Sequence, residues 1–169
     1  MKVLLYMAVS IDGIAALDSQ RGIQEYGSKE DHKFFINASK KCDAVIMGKN
    51  TAFCKIDGVP NIILTHSAPA DDGRIYLCGA AQEVYDKVQA MGFKKVALLG
   101  GPATNLDFLR AGLVDEIFLT LEPVTIGQGI HFLNEALVSK WTLAGVKKLN
   151  KGGTIVLHYK NIARRQKAR

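Results

Sequence analysis

The sequence predicts an α/β domain whose mostly parallel mixed sheet is flanked by helices and finished by a C-terminal antiparallel hairpin. Three observations predict it. Short apolar runs alternate with helix-like segments through the first two thirds of the 169 residues, and most of those runs stop at a glycine or polar turn. The last third is instead strand-like, with Lys151-Gly152-Gly153 between its final two runs. Alternating strands and helices imply parallel crossovers, whereas a tight glycine turn joins antiparallel neighbours.

Each element has its own signal. Val3 to Val9 is nearly all apolar and ends at Ser10 and Asp12-Gly13, as a strand buried on both faces does before a sharp turn. Ser28-Lys29-Glu30-Asp31 carries a helix-start pattern, and Phe34, Phe35 and Ala38 follow at helical spacing. Asp43 to Met47 then runs into Gly48, Asn61 to Thr65 into His66-Ser67, and Lys95 to Leu99 into Gly100-Gly101-Pro102. These are three more strands. Ala80 to Met91 aligns Val84, Val88 and Met91 on one helical face and stops at Gly92, and Thr104 to Ala111 stops at Gly112. Glu116 to Leu121, Trp141 to Leu149 and Thr154 to Tyr159 complete the sheet.

Composition narrows the class. With 48% apolar and 22% charged residues the chain is of ordinary globular make-up. A domain of this length buries roughly 70% of the surface its unfolded chain exposes. The net charge of +6 is concentrated: Lys160, Arg164, Arg165, Lys167 and Arg169 supply five of the six charges, so the body is nearly neutral. We therefore expect a single domain over residues 1–160, a solvated basic tail over 161–169, and no nucleic-acid partner. The N-terminal run breaks too early, and lacks the cleavage site, for a signal peptide or a membrane span. Cys42, Cys54 and Cys78 are odd in number and unrelated in spacing, which suits neither a disulfide framework nor a metal site and points to the reducing cytoplasm.

Ligands of open parallel sheets bind beyond the carboxyl ends of the strands, where backbone N–H groups and helix N-termini favour anions. Three such ends carry chemistry here: Gly48, Lys49 and Thr51; Thr65, His66 and Ser67; and Gly100, Gly101, Pro102, Ala103, Thr104 and Asn105. Together they suggest a dinucleotide lying across the sheet. The glycine pair lets backbone approach a pyrophosphate, and Lys49 and His66 suit a 2′-phosphate. Each is also explained singly as an ordinary turn or surface residue, since the glycine pair does not complete a G-x-G-x-x-G pattern.

Five motifs in order resemble the reductase domain of riboflavin biosynthesis and the broader dihydrofolate-reductase-like superfamily. They are Tyr6 to Gly13, Asp43 to Thr51, Gly100-Gly101-Pro102, Gly112 to Ile117, and Pro123 with Gly127-Gln128-Gly129. The resemblance implies a dihydrofolate-reductase-like fold and NADPH as cofactor, with the Ala8 backbone at the nicotinamide carboxamide. Gly48, Lys49 and Thr51 would meet the phosphates, Thr65, His66 and Ser67 the adenosine end, and Gly100 to Asn105 the pyrophosphate. It also implies a homodimer, and the 123–132 segment suits either its interface or a plain glycine-rich turn.

Departures from the family pattern concern the substrate. Where riboflavin-pathway reductases usually carry S-x-D-G-K, a His-x-Leu-Arg run, a D-D-P-x-L-x-x-R loop and a Glu before the glycine pair, this chain has Ile14, Ile36 to Ser39, Ala52 to Asp57, and Leu99. The basic groups that would hold a ribose phosphate are largely gone, since neither Ile14 nor Ser39 can pair with a dianion. Dihydrofolate reductases place a carboxylate on the first helix, and Asp31 falls at about that place; behind Ser28 it is equally half of a capping box. Asp12 is either a substrate or catalytic carboxylate or a turn residue before Gly13. Tyr26 suits stacking on a flat ring or packing in a loop. The resulting expectation is a small-molecule reductase moving hydride from NADPH to a pteridine- or pyrimidine-like heterocycle. The riboflavin-pathway reductase itself, a dihydrofolate reductase and a catalytically silent nucleotide-binding module are its rivals.

Overall fold

The computed structural model describes residues 1–19, 21–52, 55–67 and 71–163. Ten strands and three helices occur among them: β1 (Lys2–Ser10), β2 (Ile14–Ala16), α1 (Lys29–Ser39), β3 (Ala44–Gly48), β4 (Asn61–Leu64), β5 (Ile75–Leu77), α2 (Ala81–Ala90), β6 (Lys95–Leu98), α3 (Pro102–Arg110), β7 (Glu116–Glu122), β8 (Ile130–His131), β9 (Trp141–Lys148) and β10 (Ile155–Asn161). The architecture is the expected one, a mostly parallel sheet with three helices and antiparallel strands at its C-terminal end. Most of the basic tail, and Cys54 with its neighbour Phe53, lie outside the described residues.

The chain forms two compact units, Met1–Leu5 with Ile36–Val114, and Tyr6–Phe35 with Asp115–Arg169. Strand β1 contributes its first half to one and its second half to the other.

In the first unit the strands run in the order β5-β4-β3-β6-β1, each paired in parallel with its neighbour. Strand β3 is buried throughout, as its uninterrupted Ala-Val-Ile-Met run requires, and Val84, Val88 and Phe108 of α2 and α3 are fully buried. Parallel register brings the carboxyl ends to one edge: Gly48 lies opposite Leu64, and Leu64 opposite Leu77. Helix α3 starts two residues earlier than the sequence pattern suggests, with Pro102 in its first turn. Proline fits there because an N–H at that position has no partner in the helix anyway.

In the second unit the order is β1-β7-β10-β9, with β10 antiparallel to both β7 and β9. Its core includes an aromatic stack. Tyr6 lies 4.8 Å from Phe118, Phe118 lies 4.2 Å from His158, and Phe34 of α1 tilts against Tyr6 and Phe118. Strands β2 and β8 pair antiparallel as a separate ribbon.

Candidate functional site

Two groups of predicted residues converge, one in each unit. In the first unit the Gly48 N–H donates to the Gly100 carbonyl at 2.6 Å, tying the end of β3 to the glycine pair. Both glycines of this junction are required by space or backbone. A Cβ on Gly48 would stand 2.5 Å from the Thr104 hydroxyl oxygen, and Gly100 has φ of +90°. Thr51 closes the other side, 3.3 Å from where a Cβ on Gly101 would stand. Helix α3 starts at this point, so its unpaired first-turn N–H groups add positive potential.

The end of β4 joins the same unit's group. Lys49 Nζ donates to Ser67 Oγ at 3.3 Å, and the Ser67 N–H donates to Thr65 Oγ1 at 3.0 Å. Thr65, His66 and Thr104 line a cavity of about 160 Å³ together with Cys78, Gly79 and Asp107. The last three were not singled out in the sequence. Asn105 is fully buried, and neither its amide nitrogen nor its amide oxygen has a hydrogen-bond partner. An unpaired buried amide costs about 1–3 kcal/mol, so a group there capable of both donating and accepting is a plausible binding element. Of the residues assigned to the cofactor, Ala8 alone lies in the second unit, buried on the second half of β1.

In the second unit Asp31, Tyr26 and Asp12 have different surroundings. Ser28 Oγ accepts the Asp31 N–H at 3.1 Å and so caps α1. The Ser28 N–H, which a full capping box would give to the Asp31 carboxylate, goes instead to Glu122 Oε1 at 2.9 Å. The Asp31 carboxyl is thereby released from the cap. It is buried at 7% exposure and bonded to Thr120. Burial pushes its pKa up, the Thr120 hydrogen bond works against that, and the nearby Glu122 charge adds to the rise.

Asp12 ties its own turn to the distant 126–127 turn. Its carboxylate accepts from Ser10 Oγ at 2.6 Å and from the Gly127 N–H at 2.7 Å, with Ile126 N–H at 3.2 Å. Ser10 and Gly127 hold its pKa down to about 2. Tyr26 donates to the Ile14 carbonyl at 2.8 Å, and burial with the negative charges of Glu122, Asp12 and Asp31 pushes its phenol up to about 12.

Glu122, Thr120 and Thr154 escaped the sequence reading. A signal for the first two exists: on β7 they share the phase of Phe118, which packs on Phe34 of α1, so two polar residues occupy inward positions of an apolar strand. Among the described residues no helix is long and apolar enough to cross a membrane, and no cluster of three or more His, Cys, Asp or Glu side chains is arranged to hold a metal ion.

A mostly parallel sheet with a glycine-marked strand edge, three helices and antiparallel strands at the C-terminal end is the dihydrofolate-reductase-like fold class. Solved structures share the fold: a pyrimidine reductase-like protein from Corynebacterium diphtheriae (TM-score 0.80, 17% identity, 95% of this chain and 92% of that one) and dihydrofolate reductase from Enterococcus faecalis (0.73, 14%, 95% and 96%). Within the class the chain belongs to the RibD C-terminal domain family, which matches residues 1–155. Similar sequences include an uncharacterized protein of Bacillus subtilis, 25% identical over 94% of this chain and 97% of its own. Another is the 2,5-diamino-6-ribosylamino-4(3H)-pyrimidinone 5′-phosphate reductase of Methanothermobacter thermautotrophicus, 22% identical over 74% of this chain and 79% of its own.

Proposed function

We propose that the protein is an NADPH-dependent reductase of a small, flat heterocycle, pteridine- or pyrimidine-like and without a phosphate, and that Asp31 is its proton donor. The observation that carries the reading is the Asp31 carboxyl itself: buried, freed from the helix cap by Glu122, and biased toward its protonated form. A buried carboxyl biased toward its protonated form suits general acid catalysis.

The residues present fit the cofactor. The glycine-lined junction at Gly48, Gly100 and Gly101 leaves room for backbone to approach a pyrophosphate at the start of α3, and Asn105 has both amide atoms unpaired. Lys49, exposed and bonded to Ser67, suits the 2′-phosphate. Bound there, NADPH supplies hydride from C4 of its nicotinamide ring. The Asp31 O–H supplies the proton. When a substrate C=N carbon gains hydride, the π pair on nitrogen takes the Asp31 proton, and the new carboxylate is held by the Thr120 hydroxyl until solvent reprotonates it. Asp12, already ionised and engaged by Ser10 and Gly127, keeps the 126–127 turn in place, and Tyr26 offers a ring for stacking.

Calorimetry with NADPH, followed by assay of its oxidation with a panel of pteridines and pyrimidines, tests the reading. Micromolar binding is expected, and no heat and no thermal shift at millimolar NADPH would refute it. Lys49→Ala should weaken NADPH by roughly 2–5-fold, the size of an exposed charge contact, and leave NADH unchanged. Equal losses for both cofactors would remove Lys49 from the 2′-phosphate.

A further inference from the structure

We propose that Glu122 is a positioning residue for Asp31: through Ser28 it fixes the start of α1, takes the N–H that would otherwise hold the Asp31 carboxyl, and sets its own carboxyl beside it. The inference rests on Asp31 as the acid of the proposed reaction.

The geometry around Glu122 is that of an acceptor enclosed by donors. At 2% exposure on β7 it is among the most buried side chains of the chain, and a buried carboxylate is tolerated only when donors surround it. Three do. Ser28 N–H at 2.9 Å and Ser28 Oγ at 2.8 Å both reach Oε1, and Thr154 Oγ1 at 2.8 Å reaches Oε2.

The proton directions are set by what lies behind each hydroxyl. Ser28 Oγ already accepts the Asp31 N–H, so its own proton points to Glu122. Thr154 Oγ1 already accepts from Asn150 Nδ2 at 2.9 Å, and the Asn150 amide is oriented by the Gly153 and Thr154 N–H groups on its oxygen. Every neighbour therefore presents a donor, and Glu122 acts only as an acceptor.

Two consequences reach Asp31. Glu122 replaces the return arm of the capping box, so the third residue of α1 is left with a carboxyl that the helix does not use. The charges facing that carboxyl are also unequal. Glu122 on β7 opposes its ionisation, His32 on its own helix and the Thr120 hydroxyl favour it, and the Tyr26 phenol in the preceding turn is itself under the influence of both carboxyls. Two nearby carboxyls divide their roles when one is held ionised by donors and the other is left in an apolar setting.

The test uses the whole chain without cofactor or substrate. Carbon-13 labelling of the Asp carboxyls follows Asp31 by NMR against pH, in the wild type and in Glu122→Gln. In the wild type, Asp31 should take up its proton at higher pH than an ordinary aspartate; an ordinary or lowered midpoint would overturn the proposal with no variant needed. In Glu122→Gln the proton affinity of Asp31 should fall about tenfold, a change of one pH unit in its midpoint. A residue that merely braces α1 would lower thermal stability and leave that midpoint in place, and this result would also overturn the proposal. An unmoved Asp31 midpoint in a protein that binds NADPH counts against Glu122, whereas absent NADPH binding with the expected Asp31 titration counts against the reductase reading.

Discussion

A buried aspartate whose ionisation is opposed by its surroundings makes the stability of the whole chain depend on pH. Asp31 binds its proton more tightly folded than unfolded, so its contribution to stability is complete below the ordinary value of 3.8 and is lost as pH rises through its raised folded value. Asp31→Asn keeps the shape and removes the charge. The variant should match the wild type near pH 3 and melt at a higher temperature at pH 7, while losing reductase activity. A stabilisation of 1 kcal/mol would raise Tm by roughly 2–4 °C in a domain of this size. Wild-type melting above that of the variant at pH 7 would show that the ionised Asp31 is favoured after all. Asp12 has the opposite sign: its contribution is present above 3.8 and lost as pH falls through about 2.

Helix α1 shows what an element owes to sequence neighbours and what it owes to distant ones. Ser28 and the Phe34, Phe35, Ala38 spacing were legible because capping and helical periodicity are local. Glu122 was not, because its part in the same helix start depends on a contact 94 residues away. The Ser28–Asp31 spacing likewise fits two structures, a closed capping box and an open one, and only the position of Glu122 distinguishes them. Ser28→Ala should therefore cost more than an ordinary cap. Loss of the N-cap accounts for about 1 kcal/mol, and leaving a buried carboxylate short of one donor adds about 1–3 kcal/mol. Urea unfolding is the measurement, and a total under 1 kcal/mol would mean that Glu122 finds another donor. Strands β2, β5 and β8 were missed for a different reason: at two or three residues they are too short to show a period.

At the scale of the whole molecule, the sheet and its glycine-marked edges were readable from the chain, because a tight approach such as that of Gly48 to Thr104 admits no other residue. The substrate is less readable, since it is defined partly by what is missing. Ile14, Ser39 and Leu99, at 0%, 0% and 5% exposure, stand where riboflavin-pathway reductases usually carry charge. Each lost charge-assisted contact is worth about 1.5–3 kcal/mol, so this chain should turn over a phosphoribosylaminopyrimidine several powers of ten less efficiently than a riboflavin-pathway reductase that has all three, with any activity falling on an uncharged or less phosphorylated compound. Steady-state assay of the two compound classes decides this, and efficient turnover of the phosphorylated one would give this chain the activity that its Methanothermobacter relative is named for. The division of β1 between the two units has a consequence for synthesis on the ribosome. All of Met1–Leu5 and Ile36–Val114 has been made once residue 114 is added, whereas Tyr6–Phe35 waits for Asp115 onward. Phe34 must wait until His158 is made for its aromatic stack to be complete, which at about 5–20 residues per second is roughly 6–25 s. A nascent chain thus holds Tyr6 and Phe34 without Phe118 for the first two thirds of that interval and without His158 to its end, with apolar rings transiently open to association.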